Sequence, residues 1–264
     1  MYKFTDTTGT ASKDLPAEAT ILNSDYIENQ IDGYRTLYVK GREILAPSLQ
    51  TAEIAGLDGV LYHGRQFPVR EITVGYQLIA ATPEDFRAKY NKLSYLLTEK
   101  EQSILAFADE PGKYFTGTLS AADAPDPGRN AVTSEFTFTC TDPFKRSVGS
   151  KTVTSSGEDK TINYAGTWIS YPVITANFSG AATEFICLHG NGAIIEVSDL
   201  KASDVLVIDV GKASIKINGA AADGHGALGN DWSKFYLQQG NNPLRFNCTG
   251  TMPSITISYT EVYI

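Results

Sequence analysis

The chain has 264 residues, of which 42% are hydrophobic and 20% are charged, a balance typical of a folded globular protein and not of a disordered chain. Its net charge is −8, and no cluster of Lys and Arg forms the basic face that duplex-binding proteins use. The longest apolar runs, such as Val205–Ile208, fall far short of the ~20 residues of a spanning helix, so we expect no membrane insertion.

The cysteine pattern indicates the compartment of synthesis. Cys140, Cys187 and Cys248 are widely spaced and form no Cys-x-x-Cys pair, and the first residues lack the apolar core of a secretory signal. We therefore expect reduced, buried thiols and synthesis in a cytoplasm.

The first part of the chain predicts strands around one helix. Arg70–Leu78 and Glu135–Cys140 alternate apolar and polar residues, which is typical of antiparallel strands with one buried face. Between them, Thr82 is a good helix N-cap, and a helix over 83–97 would present one apolar stripe, formed by Phe86, Tyr90, Leu93 and Leu97. We expect this stripe to pack on a sheet, followed by a hairpin that joins Ile104–Phe107 to Tyr114–Gly117.

The second part predicts short strands only, separated by turns that contain Gly or Asn. The predicted strands are Tyr171–Asn177, Glu184–Leu188, Ala193–Val197, Asp204–Asp209, Ser214–Ile217, Pro243–Asn247 and Ser254–Tyr259. Strands at such regular spacing, without helices, indicate a β-sandwich or jelly roll.

A change in composition predicts two domains. Charged residues become sparser after residue 146 and glycine becomes more frequent, while Ser147–Ser150 and Ser155–Asp159 have the polar composition of a short linker. We therefore predict a mostly β protein with an N-terminal domain over 1–146 and a C-terminal domain over 147–264.

The chain shows no motif for a common catalytic or cofactor site. It has no phosphate-binding loop, dinucleotide-binding glycine motif, nucleophile elbow or His-Glu-x-x-His zinc motif. His63, His189 and His225 are too scattered to indicate a metal site. A pair of carboxylates, Glu184 and Glu196, would suit glycoside hydrolysis, but solvated strand faces commonly carry Glu. We expect no enzyme activity, cofactor or bound metal.

Several short motifs, taken in order, resemble one family. They are Val74–Gln77, the helix 83–97, Leu105–Pro111, Tyr114-Phe115 and Phe138–Lys145, followed by Gly166-Thr167, Ser170–Pro172 and Leu237–Asn242. Over about residues 20–264 the sequence resembles the distal tail proteins (Dit) of long, non-contractile-tailed, siphovirus-type phages of Gram-positive bacteria.

The resemblance implies a fold and an assembly. It implies a tail-tube-like N-terminal β-sandwich with one α-helix and a galectin-like C-terminal β-sandwich. It also implies a structural, non-enzymatic hub in the virion tail tip or baseplate, assembled in the host bacterial cytoplasm. Six copies would form a ring that joins the major tail tube protein to the tail-associated lysin or tail fibre hub and to receptor-binding or baseplate proteins. DNA would pass through the ring without specific binding.

A ring of this kind leads to more specific expectations. We expect residues 1–146 to line the lumen, residues 147–264 to lie outside, and exposed edge strands of the first domain to join neighbouring copies. Six copies of an acidic chain would repel DNA from the channel wall.

Sugar binding is the alternative function that the sequence leaves open. Trp232 and Trp168 lie in or beside polar turns, where a Trp can stack on a sugar, although a Trp is more often a core or interface residue. His189 and Asn191 match the first half of the galectin motif His-x-Asn-x-Arg, but Ala193 stands where the Arg would be. A carbohydrate-binding module that aids adsorption to the host wall is therefore the less favoured interpretation, with Trp232, His189 and Asn191 as its contacts.

Overall fold

The computed structural model describes residues 15–125 and 128–264, and these divide into two compact units. The first contains the chain up to Lys145 together with Ile264, and the second contains Arg146–Tyr263. That each part folds independently stays a prediction.

The described part of the first unit contains nine strands and two helices. They are β1 (Thr20–Leu22), β2 (Asp25–Tyr26), α1 (Ile27–Gln30), β3 (Tyr34–Lys40), β4 (Ser48–Ala52), β5 (Leu61–Gln66), β6 (Arg70–Ile79), α2 (Pro83–Thr98), β7 (Ser103–Phe107), β8 (Lys113–Ala122) and β9 (Ala131–Cys140). Seven strands pair in the order β2-β1-β7-β8-β9-β6-β3, and β4 and β5 pair only with each other.

The seven-stranded path folds back until its two ends meet. Strand β8 pairs with β7 through Phe115–Gly117 and with β9 through residues 118–122, with a shift in register between Leu119 and Ala121, so it turns the sheet. The hydroxyls of Thr20 on β1, next to one end, and Thr36 on β3, at the other end, lie 3.2 Å apart, and both residues are fully buried. The curved sheet encloses a core of aliphatic and aromatic side chains that includes Phe136 and Phe138.

Helix α2 covers this core as the sequence predicts. The Thr82 hydroxyl accepts a hydrogen bond from the Asp85 amide at 3.2 Å, and Pro83 occupies the first turn. Leu93 and Leu97 are buried, as is Leu96, which the predicted stripe leaves out. Phe86 and Tyr90 pack against the same core with part of their surface exposed.

Ten strands of the second unit form a sandwich of two antiparallel sheets, and two further short strands, the first and the last in the unit, pair with each other. Its strands are β10 (Lys145–Ser147, which begins one residue before the unit), β11 (Lys151–Ser155), β12 (Asp159–Tyr164), β13 (Val173–Asn177), β14 (Ala182–His189), β15 (Ile194–Leu200), β16 (Val205–Asp209), β17 (Ser214–Ile217), β18 (Ala220–Ala221), β19 (Gly240–Cys248), β20 (Ser254–Tyr259) and β21 (Val262–Tyr263), with a 3-10 helix at Asp223–His225. One sheet has the order β11-β20-β13-β16-β17-β18 and the other β12-β19-β14-β15.

The mostly β class is confirmed, but a strand that was not predicted lies between the two predicted linker stretches, Ser147–Ser150 and Ser155–Asp159, and a second one begins at the end of the latter. Lys151–Ser155 pairs along its whole length with β20, and the strand that begins at Asp159 pairs with β19. Both strands contain Thr, Ser or Lys, which are common on a strand face that meets water. Their polar composition is therefore easily mistaken for that of a linker.

Candidate functional site

The most distinctive surface of the first unit is the hairpin formed by β4, β5 and the turn between them. The described residues expose seventeen large hydrophobic side chains, and eight of them fall within residues 44–69: Ile44, Leu49, Ile54, Leu57, Val60, Leu61, Tyr62 and Val69. Leu49 is 65% exposed and Tyr62 58% exposed. Because exposed apolar side chains concentrated in one segment are typical of interaction sites, this hairpin is the candidate functional site.

The hairpin has no support from the core along its length. Four of the five residues of β4 and five of the six residues of β5 are exposed, so both faces of the ribbon meet solvent. A two-stranded ribbon alone is only marginally stable in water. This arrangement suits a segment that is completed by a partner.

The base of the hairpin, in contrast, is held firmly by Arg70. Its side chain is buried and donates to the carbonyl of Pro143 at 2.8 Å and to those of Gly41 and Glu43 at 2.7 and 2.9 Å. The guanidinium also lies 5.4 Å from the centre of the Phe115 ring. Burial lowers the pKa of Arg70, whose charge is balanced by these carbonyl dipoles.

A second arginine anchors the same segment. Arg42 donates to both carboxylate oxygens of Asp109, at 2.7 and 2.8 Å, and to Glu18 at 2.9 Å, and it stacks 4.5 Å from the centre of the Phe107 ring. The hydrogen bonds from Arg42 lower the pKa of Asp109. Next to it, Gly41 has φ +91°, and a Cβ there would lie 1.8 Å from the Glu71 carbonyl oxygen, so this turn requires glycine.

One of the two edge strands of the first unit, β3, has part of its outer backbone occupied by side chains. On β3, the amide of Thr36 donates to Glu28 Oε1 at 3.0 Å, and the amide of Val39 donates to Glu18 Oε2 at 3.1 Å. These carboxylates occupy outward-facing donors that a second strand would need. These contacts disfavour continuation of the sheet through β3, whereas joining of neighbouring copies through an edge strand of the first unit stays a prediction.

The three proposed sugar contacts lie at one corner of the second unit. The Asn191 side chain donates to the Lys234 carbonyl at 2.8 Å and accepts from the Ala193 amide at 3.0 Å. His189 is buried, its Nδ1 accepts from the Asn191 amide at 3.2 Å, and its ring meets the edge of Phe235. Trp232, in the same loop as Lys234, packs against the core.

The side chains at this corner make their contacts within the protein itself. The polar atoms of Asn191 hold the loop together, and Ala193, at the position of the galectin Arg, is 2% exposed and packed in the core. The absence of sugar binding at Trp232, His189 and Asn191 stays a prediction, which this geometry favours.

The carboxylates considered for glycoside hydrolysis lie on neighbouring strands. Glu184 faces Ser198 across the β14–β15 pair, and Glu196 faces Ile186, so the two glutamates share one half-exposed face without being directly opposite. Within residues 15–125 and 128–264, no three His, Cys, Asp or Glu side chains are grouped so as to hold a metal ion. No helix in the described part of the chain is long and apolar enough to cross a membrane.

Comparison with known proteins identifies the family. A family model described as "Phage tail protein RIFT-related domain" matches residues 24–140, and one described as "Siphovirus-type tail component, C-terminal domain" matches residues 165–263. The distal tail protein of Bacillus phage SPP1 is 27% identical over 233 residues, which cover 86% of this chain and 89% of that protein. The chain belongs to the distal tail protein family of siphovirus-type phages.

A solved structure of a phage tail protein shares the fold. The crystal structure of the SPP1 Dit protein, described as a paradigm of the hub adsorption apparatus in phages that infect Gram-positive bacteria, matches with a TM-score of 0.79. The match covers 93% of this chain and 99% of that chain at 21% identity. A chain of the phage P2 baseplate in its activated conformation gives a TM-score of 0.47 at 9% identity, over 89% of this chain and 92% of that one.

Two of the motifs that carry the Dit resemblance have structural roles around the base of the hairpin. Asp109 of the Leu105–Pro111 motif binds Arg42, and Pro143 of the Phe138–Lys145 motif accepts from Arg70. Glu110 and Lys145 link the two motifs by an ion pair of 2.8 Å. These motifs are recognisable in the sequence, but the hairpin that they support is not. Its two strands have no face on which apolar residues alternate with polar ones.

Proposed function

We propose that this Dit-family protein is the structural hub of a phage tail tip, in which six copies form a ring. The ring would join the tail tube to the tail-associated lysin or fibre hub and to receptor-binding proteins. Family membership supports the tail role, because the relative matched over most of the chain is named a distal tail protein. The proposal assigns the chain no catalytic step.

The exposed hairpin is the observation that supports assembly. A cyclic assembly of identical copies uses two different surfaces, one that each copy presents and one that it receives. The hairpin is a suitable presenting surface, because its apolar side chains are exposed while Arg42 and Arg70 fix its base. Covering those side chains with a second copy would remove apolar area from water.

The charge of the chain suits a DNA channel. At −8 per copy, six copies would place 48 excess negative charges around the ring. Such a field opposes non-specific binding of DNA phosphates and lets the genome slide through. We propose that the first unit forms the ring and that the second unit serves as an outer docking module.

The experiment is light scattering after size-exclusion chromatography, over a series of protein concentrations and with reconstituted tails. Wild-type protein should shift from monomer to hexamer as its concentration rises, because assembly follows mass action. The Leu49→Asp/Tyr62→Asp variant should stay monomeric with unchanged circular dichroism. The matched control is Ile194→Asp, which changes an exposed apolar residue of the second unit and should assemble normally. A hairpin variant that forms hexamers and enters tails like the wild type would contradict this role.

A further inference from the structure

A groove beside α2 has a composition that complements the tip of the hairpin. It is an open cavity of about 460 Å³, lined by Pro83, Phe86, Arg87, Tyr90, Pro125, Gly128, Arg129 and Asn130. Among the lining residues that the structure describes, the aromatic rings of Phe86 and Tyr90 lie beside the guanidinium of Arg87, and none of these residues carries a carboxylate. It therefore suits a ligand that is apolar and acidic.

The aromatic part of the groove is preorganised. The rings of Phe86 and Tyr90 stack with centroids 5.9 Å apart and an interplanar angle of 24°. Their inner surfaces pack on the core of the first unit, which fixes both side chains. Two rigid aromatic faces at the surface are typical anchors of protein interfaces, because they offer apolar area at little entropic cost.

The tip of the hairpin, residues 53–60, has the matching chemistry. Ile54, Leu57 and Val60 are each about half exposed, and Glu53 and Asp58 between them are exposed as well. The segment contains no Lys or Arg. Apolar and acidic side chains thus alternate over a short turn that projects from an anchored base.

We propose that the hairpin tip of one copy docks in the α2 groove of a second copy. The aliphatic side chains of the tip would contact Phe86 and Tyr90, and its carboxylates would lie near Arg87. Tip and groove are different surfaces of the first unit, so the contact is head-to-tail and repeats around a closed ring. This inference rests on the proposed ring, and it names the surface that receives the hairpin.

The test is a cross-link between two differently labelled full-length chains. One carries Leu57→Cys and the other Arg87→Cys, both with Cys248→Ser, because Cys140 and Cys187 are buried and Cys248 is only partly so. The matched control replaces Arg87→Cys by Tyr95→Cys, since Tyr95 is 61% exposed on the same helix but does not line the groove. A short bismaleimide reagent is applied under conditions in which the oligomer forms, and light scattering is recorded in parallel.

We expect a cross-linked heterodimer for the Leu57/Arg87 pair and at least tenfold less for the Leu57/Tyr95 pair. Oligomers without the specific cross-link would overturn this inference while leaving the ring intact. The lack of any oligomer would overturn both proposals.

Charge exchange gives a second measurement that does not depend on cysteines. Asp58→Arg and Arg87→Asp should each weaken assembly of the oligomer, and the double variant should restore it. Failure of that restoration would also count against the docking.

Discussion

Gly75 on β6 lies directly opposite Tyr38 on β3, and its missing side chain makes room for the Tyr38 ring. A Cβ on Gly75 would lie 2.3 Å from Cζ of Tyr38. The Tyr38 hydroxyl binds Glu135, which raises the pKa of Tyr38 to about 12, and Lys40 lies 4.7 Å from the centre of the ring. Gly75 belongs to the Val74–Gln77 motif, so this motif is explained by packing across the strand pair.

This relationship predicts the effect of a single methyl group. Gly75→Ala should destabilise the protein by about 1–3 kcal/mol, because the ring must leave its place against β6. In the Tyr38→Ala background the same substitution should cost clearly less. Chemical denaturation of the four proteins of this double-mutant cycle measures the coupling. Equal costs in both backgrounds would show that the ring does not depend on Gly75.

The buried Arg70 should be among the most sensitive positions of the first unit. Arg70→Met keeps much of the volume but leaves the carbonyls of Gly41, Glu43 and Pro143 without their donor. A loss of about 3 kcal/mol is expected, with a melting temperature lower by roughly 6–12 °C. Arg65→Met, on the exposed face of β5, is the control and should change little. Scanning calorimetry of both variants measures the melting temperatures. Equal melting temperatures would refute the anchoring role of Arg70.

His189 should make the second unit sensitive to mild acid. Burial lowers its pKa from 6.5 in the folded state, so the unfolded chain binds the proton more readily. The stability contributed by the neutral ring is present above pH 6.5 and falls as the pH drops through 6.5 towards the lower folded pKa.

The comparison is with His189→Gln, measured by thermal unfolding between pH 7.5 and pH 5. The wild type should lose stability relative to this variant on acidification. His63→Gln, which changes an exposed histidine, should follow the wild type. Parallel curves for the wild type and His189→Gln would show that the ring does not titrate on unfolding.

Independent folding of the two parts predicts a specific cleavage. The exposed segment between β10 and β11 contains Val148, 68% exposed, and Gly149, whereas the chain after Ser150 is paired in the sandwich. Limited proteolysis should therefore cut within Val148–Ser150, which narrows the interval expected from composition, and both fragments should show cooperative unfolding. Initial cuts inside β13–β20 that abolish all structure would argue for one inseparable domain.

Local sequence patterns correctly predicted the helix and those strands whose apolar residues recur with a clear period. Helix α2 was readable from Thr82 and Pro83 and from the spacing of its apolar stripe, and Ser214–Ile217 and Ser254–Tyr259 were predicted at their observed bounds. Strands β11 and β12 were missed because an edge strand with a wet face needs few apolar residues.

The candidate site itself depends on contacts that no local pattern reveals. Arg42 and Asp109 are 67 residues apart in sequence, and β4 and β5 have no buried face whose period could be recognised. A run of exposed apolar residues without alternation, such as 54–62, is the signal that could have indicated the hairpin.

Cryo-electron microscopy of the assembled tail tip tests the central claim most directly. We expect six copies in a closed ring, with residues 1–146 around the lumen, residues 147–264 outside, and each hairpin of β4 and β5 covered by a neighbouring copy. The lumen wall should be predominantly acidic. A different number of copies, a lumen lined by the second unit or by Lys and Arg, or hairpins that project freely into solvent would contradict it.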